Sequence, residues 1–205
     1  NVLEAARVAN VKRVVIVGTV CAYPKFTPVP FRESALWEGY PEETNAPYGV
    51  AKRALWTGLD AYHREFGLSG AYILPANMYG PDDDFDLETS HVIPAMIRKF
   101  DDAVRNGTSE VVLWGTGAPT REFLYVDDCA EALVIAAATI DDPEPMNVGT
   151  GQEIRMDALA LRIAEATGFT GRVRWDATRP DGQPRRALDT SHARERLGWS
   201  AKTDL

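Results

Sequence analysis

Nowhere among the 205 residues does glycine recur as G-x-G-x-x-G. The dinucleotide fingerprint of a first strand–helix turn is therefore missing, which counts against a self-sufficient nucleotide-binding domain. Basic residues are in the minority: 22 Lys and Arg face 30 Asp and Glu, a net charge of −8. That balance argues against a general nucleic-acid binder but leaves room for a nucleotide pocket lined by a few arginines. Cysteine is scarce. Cys21 and Cys129 alone do not make a disulfide framework, so a reduced, cytoplasmic setting is expected. No apolar run approaches the ~18 residues of a membrane span. The opening NVLEAARVAN is an amphipathic helical pattern and not a signal peptide.

What is present is an ordinary globular composition, 45% hydrophobic, arranged as alternating strands and helices. A helix over about 1–10 leads into RVVIVGTVC, read as a strand buried on both faces. A helix over about 47–66 carries Ala51, Leu55, Leu59, Tyr62 and Phe66 at helical spacing and stops at Gly67. AYILPANMYG is a second buried strand, followed by a helix over about 91–106 and the strand VVLWG. FLYV, MNVGTG and RVRW read as strands, while DDCAEALVIAAAT and MDALALRIAEATG read as helices. The alternation predicts an α/β fold with a Rossmann-type parallel sheet. Both ends look cut. The first three or so βα units are expected to be missing, and a further helix is expected after LGWSAKTDL.

Two residues in NAPYGVAK suggest chemistry. Asn45 is placed to cap a helix and Pro47 to sit in its first turn, which puts Tyr48 at the helix N-terminus with Lys52 one turn on. Read alone, the two are either surface residues sharing a face or a phenol and the ammonium that makes it a better acid. Thr19, at the carboxyl end of the first strand, is either a second hydroxyl for the same carbonyl or a strand-end residue satisfying backbone.

The strand-end hydroxyl, Y-x-x-x-K and the loop P-x-N-x-Y-G-P together resemble the extended short-chain dehydrogenase/reductase family. The similarity is greatest to its GDP-L-fucose synthase branch, NADPH-dependent 3,5-epimerase/4-reductases. CAYPK, PEETNAPYGVAKRA, LPANMYGPDDDFDLETSHVIPAMIRKF, VVLWGTGAPTREFLYVDD, NVGTG and RPDGQPRRALDTSHARERLGW carry it over nearly the whole length. The resemblance implies Thr19, Cys21, Tyr48, Lys52 and His91 as catalytic residues. Tyr48 and Thr19 would hold the ketone oxygen, and Cys21 and His91 would move protons at the flanking carbons. It implies NADPH held by Tyr48, Lys52, Pro75, Ala76, Asn77, Met78 and His91, and a GDP-sugar held by Lys99, Trp114, Arg121 and Asp181.

It also implies a homodimer. No metal, nucleic acid or membrane partner is expected, and Asp82, Asp83, Asp84 and Asp86 read as a solvated loop. The implied division is a dinucleotide-binding part over 1–80 and 116–148 and a smaller C-terminal substrate lobe over 81–115 and 149–205. Thr19 stands where the family usually has serine, Val20 replaces a small polar residue, and Ala76 stands where threonine is common. Two rival readings stay open: another NAD(P)-dependent nucleotide-sugar epimerase, dehydratase or reductase, and a noncatalytic dinucleotide sensor.

Overall fold

The computed structural model describes residues 2–205. Its first half comprises α1 (Val2–Val8), β1 (Val14–Val17), two 3-10 turns (Val20–Ala22 and Glu33–Trp37), α2 (Ala46–Phe66), β2 (Gly70–Pro75) and β3 (Asn77–Tyr79). Then come α3 (Val92–Asn106), β4 (Glu110–Trp114), β5 (Thr120–Arg121), β6 (Phe123–Tyr125) and α4 (Val126–Thr139). The last elements are β7 (Pro145–Val148), β8 (Ile154–Arg155), α5 (Met156–Thr167), β9 (Arg172–Asp176) and α6 (Ser191–Leu197). The chain divides into two units. One holds the residues up to Met78 with Glu122–Gln152 and Ala187–Leu205, and the other holds Tyr79–Arg121 and Glu153–Arg186.

In the first unit β1, β2 and β7 form a parallel sheet in the order β1-β2-β7. Val14 stands opposite Gly70 and Tyr72 opposite Pro145. β2 is central and every residue of it is buried, as its unbroken apolar run predicts. α4 packs on β1 and β2 with Ala132 and Ala136 fully buried, and α6 packs on β7. β1 departs from expectation. Its four residues are only partly buried. Among the described residues it pairs with β2 alone.

α2 ends at Gly67, whose φ of +69° lets its N–H reach back to the carbonyl of His63. The helix turns a different face inward from the one its apolar residues suggest. Ala51, Leu55 and Phe66 are exposed and Tyr62 is half-buried, while Ala46, Gly49, Arg53 and Leu59 are buried. Small residues and an arginine carry the seam, so a count of apolar positions misses it. Asn45 occupies the N-cap position but does not cap. Its amide donates to Glu42 Oε2 at 2.9 Å instead.

The expected lobe boundary also shifts at the C-terminus, since residues 187–205 join the sheet unit. Ala187 and Asp189 exchange backbone hydrogen bonds with Phe31. Leu188, Ala193, Leu197 and Trp199 bury their side chains in the sheet's core. The backbone N–H groups of Lys202 and Thr203 donate to Asp128 Oδ2. α6 is a helix that the sequence reading did not mark, and residues 199–205 form no helix.

The second unit pairs β4 with β9 in parallel and β5 with β8 antiparallel. α3 packs against α5. Ile93, Met96, Leu159 and Ile163 are buried, and the Phe100 and Phe169 rings lie 5.3 Å apart.

Candidate active site

The carboxyl edge of the parallel sheet collects the first group of candidate residues, where open α/β sheets bind ligands. β1 and β2 run out side by side, with the Gly18 N–H bonded to the Ile73 carbonyl at 2.7 Å. Thr19 is buried in extended conformation and caps the turn Val20–Ala22, its Oγ1 accepting from the Cys21 N–H at 3.2 Å. That bond uses a lone pair and leaves the hydroxyl proton to donate elsewhere. Cys21 is half-buried at the middle of the turn. Cys129 lies in the core, where burial pushes its thiol up to about 11. Neither cysteine is in a disulfide.

Tyr48 stands in the first turn of α2 with half its surface exposed. The Lys52 ammonium lies 5.5 Å from its ring centroid and donates to the carbonyl of Val17, the last residue of β1, at 2.7 Å. The Tyr72 hydroxyl, reaching out of β2, donates to the Lys52 carbonyl at 2.9 Å. Helix and sheet edge are thus tied at the lysine. Pro75 ends β2 and is buried with Ala76, whose N–H donates to the Val148 carbonyl at 2.9 Å. Asn77 turns its side-chain amide onto the Glu122 carbonyl at 3.0 Å, and Met78 is exposed.

Three residues that shape this edge were missed by sequence reasoning. Gly49 faces the turn so closely that a Cβ there would lie 2.5 Å from the Cys21 carbonyl oxygen. Arg53 is buried and donates to the carbonyls of Ala22 (2.6 Å) and Gly39 (2.9 Å). Glu122 is buried and accepts from the N–H groups of Gly151 and Leu188, at 2.8 and 2.7 Å. Burial raises its carboxyl above the ordinary value, against those bonds. The close approach at Gly49 and the buried charge at Arg53 leave no periodic signal. Glu122 lies beside Arg121 in R-E-F, and nothing local marks it as buried.

The second unit holds the remaining candidates. His91 takes the N-cap position of α3 with its side chain exposed and making no cap bond. Lys99 donates to the Val112 carbonyl at 3.2 Å, and burial lowers its ammonium below the ordinary value. It also borders a groove of about 280 Å³ lined by Leu87, Asp102, Thr108 and Glu110 among others. Trp114 is 65% exposed. Its indole has the Lys99 ammonium 5.7 Å and the Arg179 guanidinium 4.9 Å from the ring. Arg179 opens the quoted R-P-D-G, and only the aspartate of that motif had been singled out.

Both carboxylate oxygens of Asp181 are engaged by Thr116, one by its N–H and one by its hydroxyl, each at 2.7 Å. Those bonds hold its carboxyl below the ordinary range. Arg121 donates to the Thr120 carbonyl at 2.7 Å and the Asp181 carbonyl at 3.2 Å. Lys99, Trp114 and Arg179 are thereby gathered around one indole, and Arg121 and Asp181 around the turn that follows it. The acidic loop spends its carboxylates on itself: Asp84 and Asp86 accept from the Thr89 hydroxyl and from loop N–H groups.

A model described as the NAD dependent epimerase/dehydratase family matches residues 1–149. Over its full length the chain is 44% identical to GDP-L-fucose synthase 1 of Arabidopsis thaliana, covering 63% of that protein. It is 40% identical to the GDP-L-fucose synthase of Escherichia coli K12, covering 66% of it. The chain thus spans somewhat less than two thirds of the Arabidopsis relative. Among solved structures it is similar to a GDP-L-fucose synthetase from Naegleria fowleri bound to NADP. The TM-score is 0.90 at 28% identity, over 99% of this chain and 65% of the other.

Proposed function

The chain belongs to the NAD dependent epimerase/dehydratase family, and on that premise we propose that the whole protein is an NADPH-dependent 3,5-epimerase/4-reductase converting GDP-4-keto-6-deoxy-mannose to GDP-L-fucose. The observation that carries this reading is the turn Val20–Ala22, which holds Cys21 against the helix bearing Tyr48 and Lys52 at the carboxyl edge of the sheet. Epimerases and dehydratases that act at other carbons need the hydroxyl, phenol and ammonium but not the thiol. A noncatalytic sensor needs neither the thiol nor the phenol.

Each residue type suits its task. The ketone at C4 acidifies the protons on C3 and C5 once its oxygen is stabilised. Thr19, whose hydroxyl proton is not spent on the turn, and Tyr48 are the donors assigned to that oxygen. Inverting C3 or C5 takes a proton from one side of the ring and returns one to the other. That work is assigned to Cys21, with His91 carried over from the family resemblance as its counterpart. Tyr48 then gives its proton to the C4 oxygen, and Lys52 keeps positive charge beside the phenol.

The donor set at this edge fits a nicotinamide nucleotide: an exposed phenol, an ammonium held at the end of β1, and the small Ala76 after β2. Lys52 and Tyr48 would hold its ribose, and Pro75–Met78 would line its nicotinamide half. When bound, NADPH supplies the hydride that reduces C4. Lys99, Trp114, Arg121 and Asp181 are assigned to the nucleotide end of the substrate. A homodimer is carried over from the family resemblance alone.

The test is Cys21→Ser in the full-length enzyme, given the 4-keto sugar nucleotide in D2O. Deuterium entry at C3 and C5 is expected to stop while NADPH still binds. Undiminished exchange at both carbons would remove Cys21 from the mechanism.

A further inference from the structure

We infer that Arg53 is a positioning residue that fixes the Cys21 turn against the tyrosine helix and so sets the thiol's line of approach to the substrate. The inference rests on the proton-transfer role proposed for Cys21. The side chain is an anomaly in its setting. Arg53 is only 4% exposed, and arginines are seldom buried this far without a carboxylate partner. Here none of the described carboxylates pairs with it: burial lowers its guanidinium below the ordinary value, and the Tyr72 phenol works the other way. Its donors go to two backbone carbonyls instead. Nε meets Ala22 at 2.6 Å and Nη1 meets Gly39 at 2.9 Å. Its Nη2 has no hydrogen-bond partner. The guanidinium carbon lies 5.2 Å from the centre of the Trp37 ring.

The carbonyl it grips belongs to the residue directly after Cys21, at the end of the 3-10 turn. One turn earlier on the same helix, Gly49 brings the backbone against the Cys21 carbonyl. The turn is therefore held to α2 at two consecutive carbonyls, that of Cys21 by close packing and that of Ala22 by a charged fork. Tyr48 and Lys52 immediately precede Gly49 and Arg53 in sequence. Any change in the fork moves the thiol relative to the phenol, and a shift near 1 Å at a reacting group costs up to about a hundredfold in rate. A planar guanidinium spans two carbonyls in a fixed plane. A lysine ammonium has no such geometry, and a methionine donates nothing.

The test compares full-length wild type, Arg53→Lys and Arg53→Met by two readouts. One is deuterium entry at C3 and C5 of the 4-keto sugar in D2O. The other is the rate at which iodoacetamide alkylates the Cys21 peptide, followed by mass spectrometry across pH. For Arg53→Met the expected results are exchange about tenfold or more slower and alkylation at Cys21 changed roughly threefold or more. NADP affinity should stay within about twofold. Arg53→Lys should show a smaller loss in both readouts, and it carries the test should the methionine variant fail to fold. A folded variant that exchanges and alkylates like wild type overturns the inference. Wild type that shows no exchange sinks the role given to Cys21 instead, and the alkylation change then still reports whether Arg53 positions the turn.

Discussion

Gly49→Ala isolates the contact between the catalytic helix and the Cys21 turn. The new Cβ would stand 2.5 Å from the Cys21 carbonyl oxygen, 3.2 Å from its carbon and 3.3 Å from Ala22 Cα. A comfortable carbon–oxygen approach is about 3.3 Å, so turn or helix must give by roughly 0.8 Å. Two energies then compete. Alanine in a helix interior is favoured over glycine by about 1 kcal/mol, and overpacking costs about 1–3 kcal/mol. The net loss of stability is roughly 0–2 kcal/mol, a fall of no more than several degrees in Tm for a chain of this size. Activity does not benefit from the helix term. A displacement of about 0.8 Å at Cys21 and Thr19 is expected to lower kcat between about tenfold and a hundredfold. Differential scanning calorimetry and NADPH oxidation by the full-length enzyme separate the two effects. A variant that is fully active and about 1 kcal/mol more stable would show that the turn yields freely and that its geometry is not set by this contact.

Other outcomes follow from the same structure. Tyr48→Phe removes the proton donor from a half-exposed site, so kcat should fall about 10²–10⁴-fold, with stability changed by less than about 0.5 kcal/mol in urea unfolding. Arg179→Ala strips one cation from the Trp114 indole. It should raise KM for the sugar nucleotide about tenfold with kcat nearly constant, as loss of uniform binding does. Glu122 titrates in the fold above its ordinary 4.5 because burial disfavours its charge. The folded state therefore holds that proton more tightly than the unfolded chain, and stability linked to Glu122 rises as pH falls from the raised value toward 4.5, then levels. Thermal melts of Glu122→Gln should lack that rise, and an identical pH profile in variant and wild type would contradict the assignment. Asp181 has the opposite sign. Its hold on Thr116 is complete above the ordinary 3.8 and fades as pH falls through the lowered value, so intrinsic fluorescence reporting on Trp114 should change only in strong acid.

Much of the architecture was legible because it follows from local chemistry. The A-Y-I-L run can only be a strand covered on both faces, and it is the central one. Pro47 and Gly67 mark the two ends of α2 as backbone geometry requires. What escaped depends on partners that residue identity alone does not name. The V-V-I-V run reads as a strand buried on both faces, yet its four residues are only partly buried, because burial is set by what lies beside a strand and not by its own apolar run. Asn45 has the right identity for a cap, but Glu42 captures its amide first. The inward face of α2 leaves no apolar signal because Arg53 is polar and Gly49 has no side chain. For α6 the signal was available: D-T-S before the helix, where the Ser191 hydroxyl bonds Asp189, and Gly198 after it. Among the candidate site residues, motif identity gave positions but not occupations. Asp181 was legible as a site residue, while its engagement with Thr116 was visible only in the structure.

The sheet unit is stitched from three separated stretches of chain, and this shapes how a ribosome must deliver it. Asn147 reaches back 116 positions to bond the Phe31 carbonyl, and Leu188 reaches back 66 to the Glu122 carboxylate. Until translation passes Leu188, that carboxylate and the edge of the Phe31 segment await partners not yet made. The nascent chain therefore carries an unfinished apolar sheet until Leu188 is made, a window in which chaperones or misassembly compete for it.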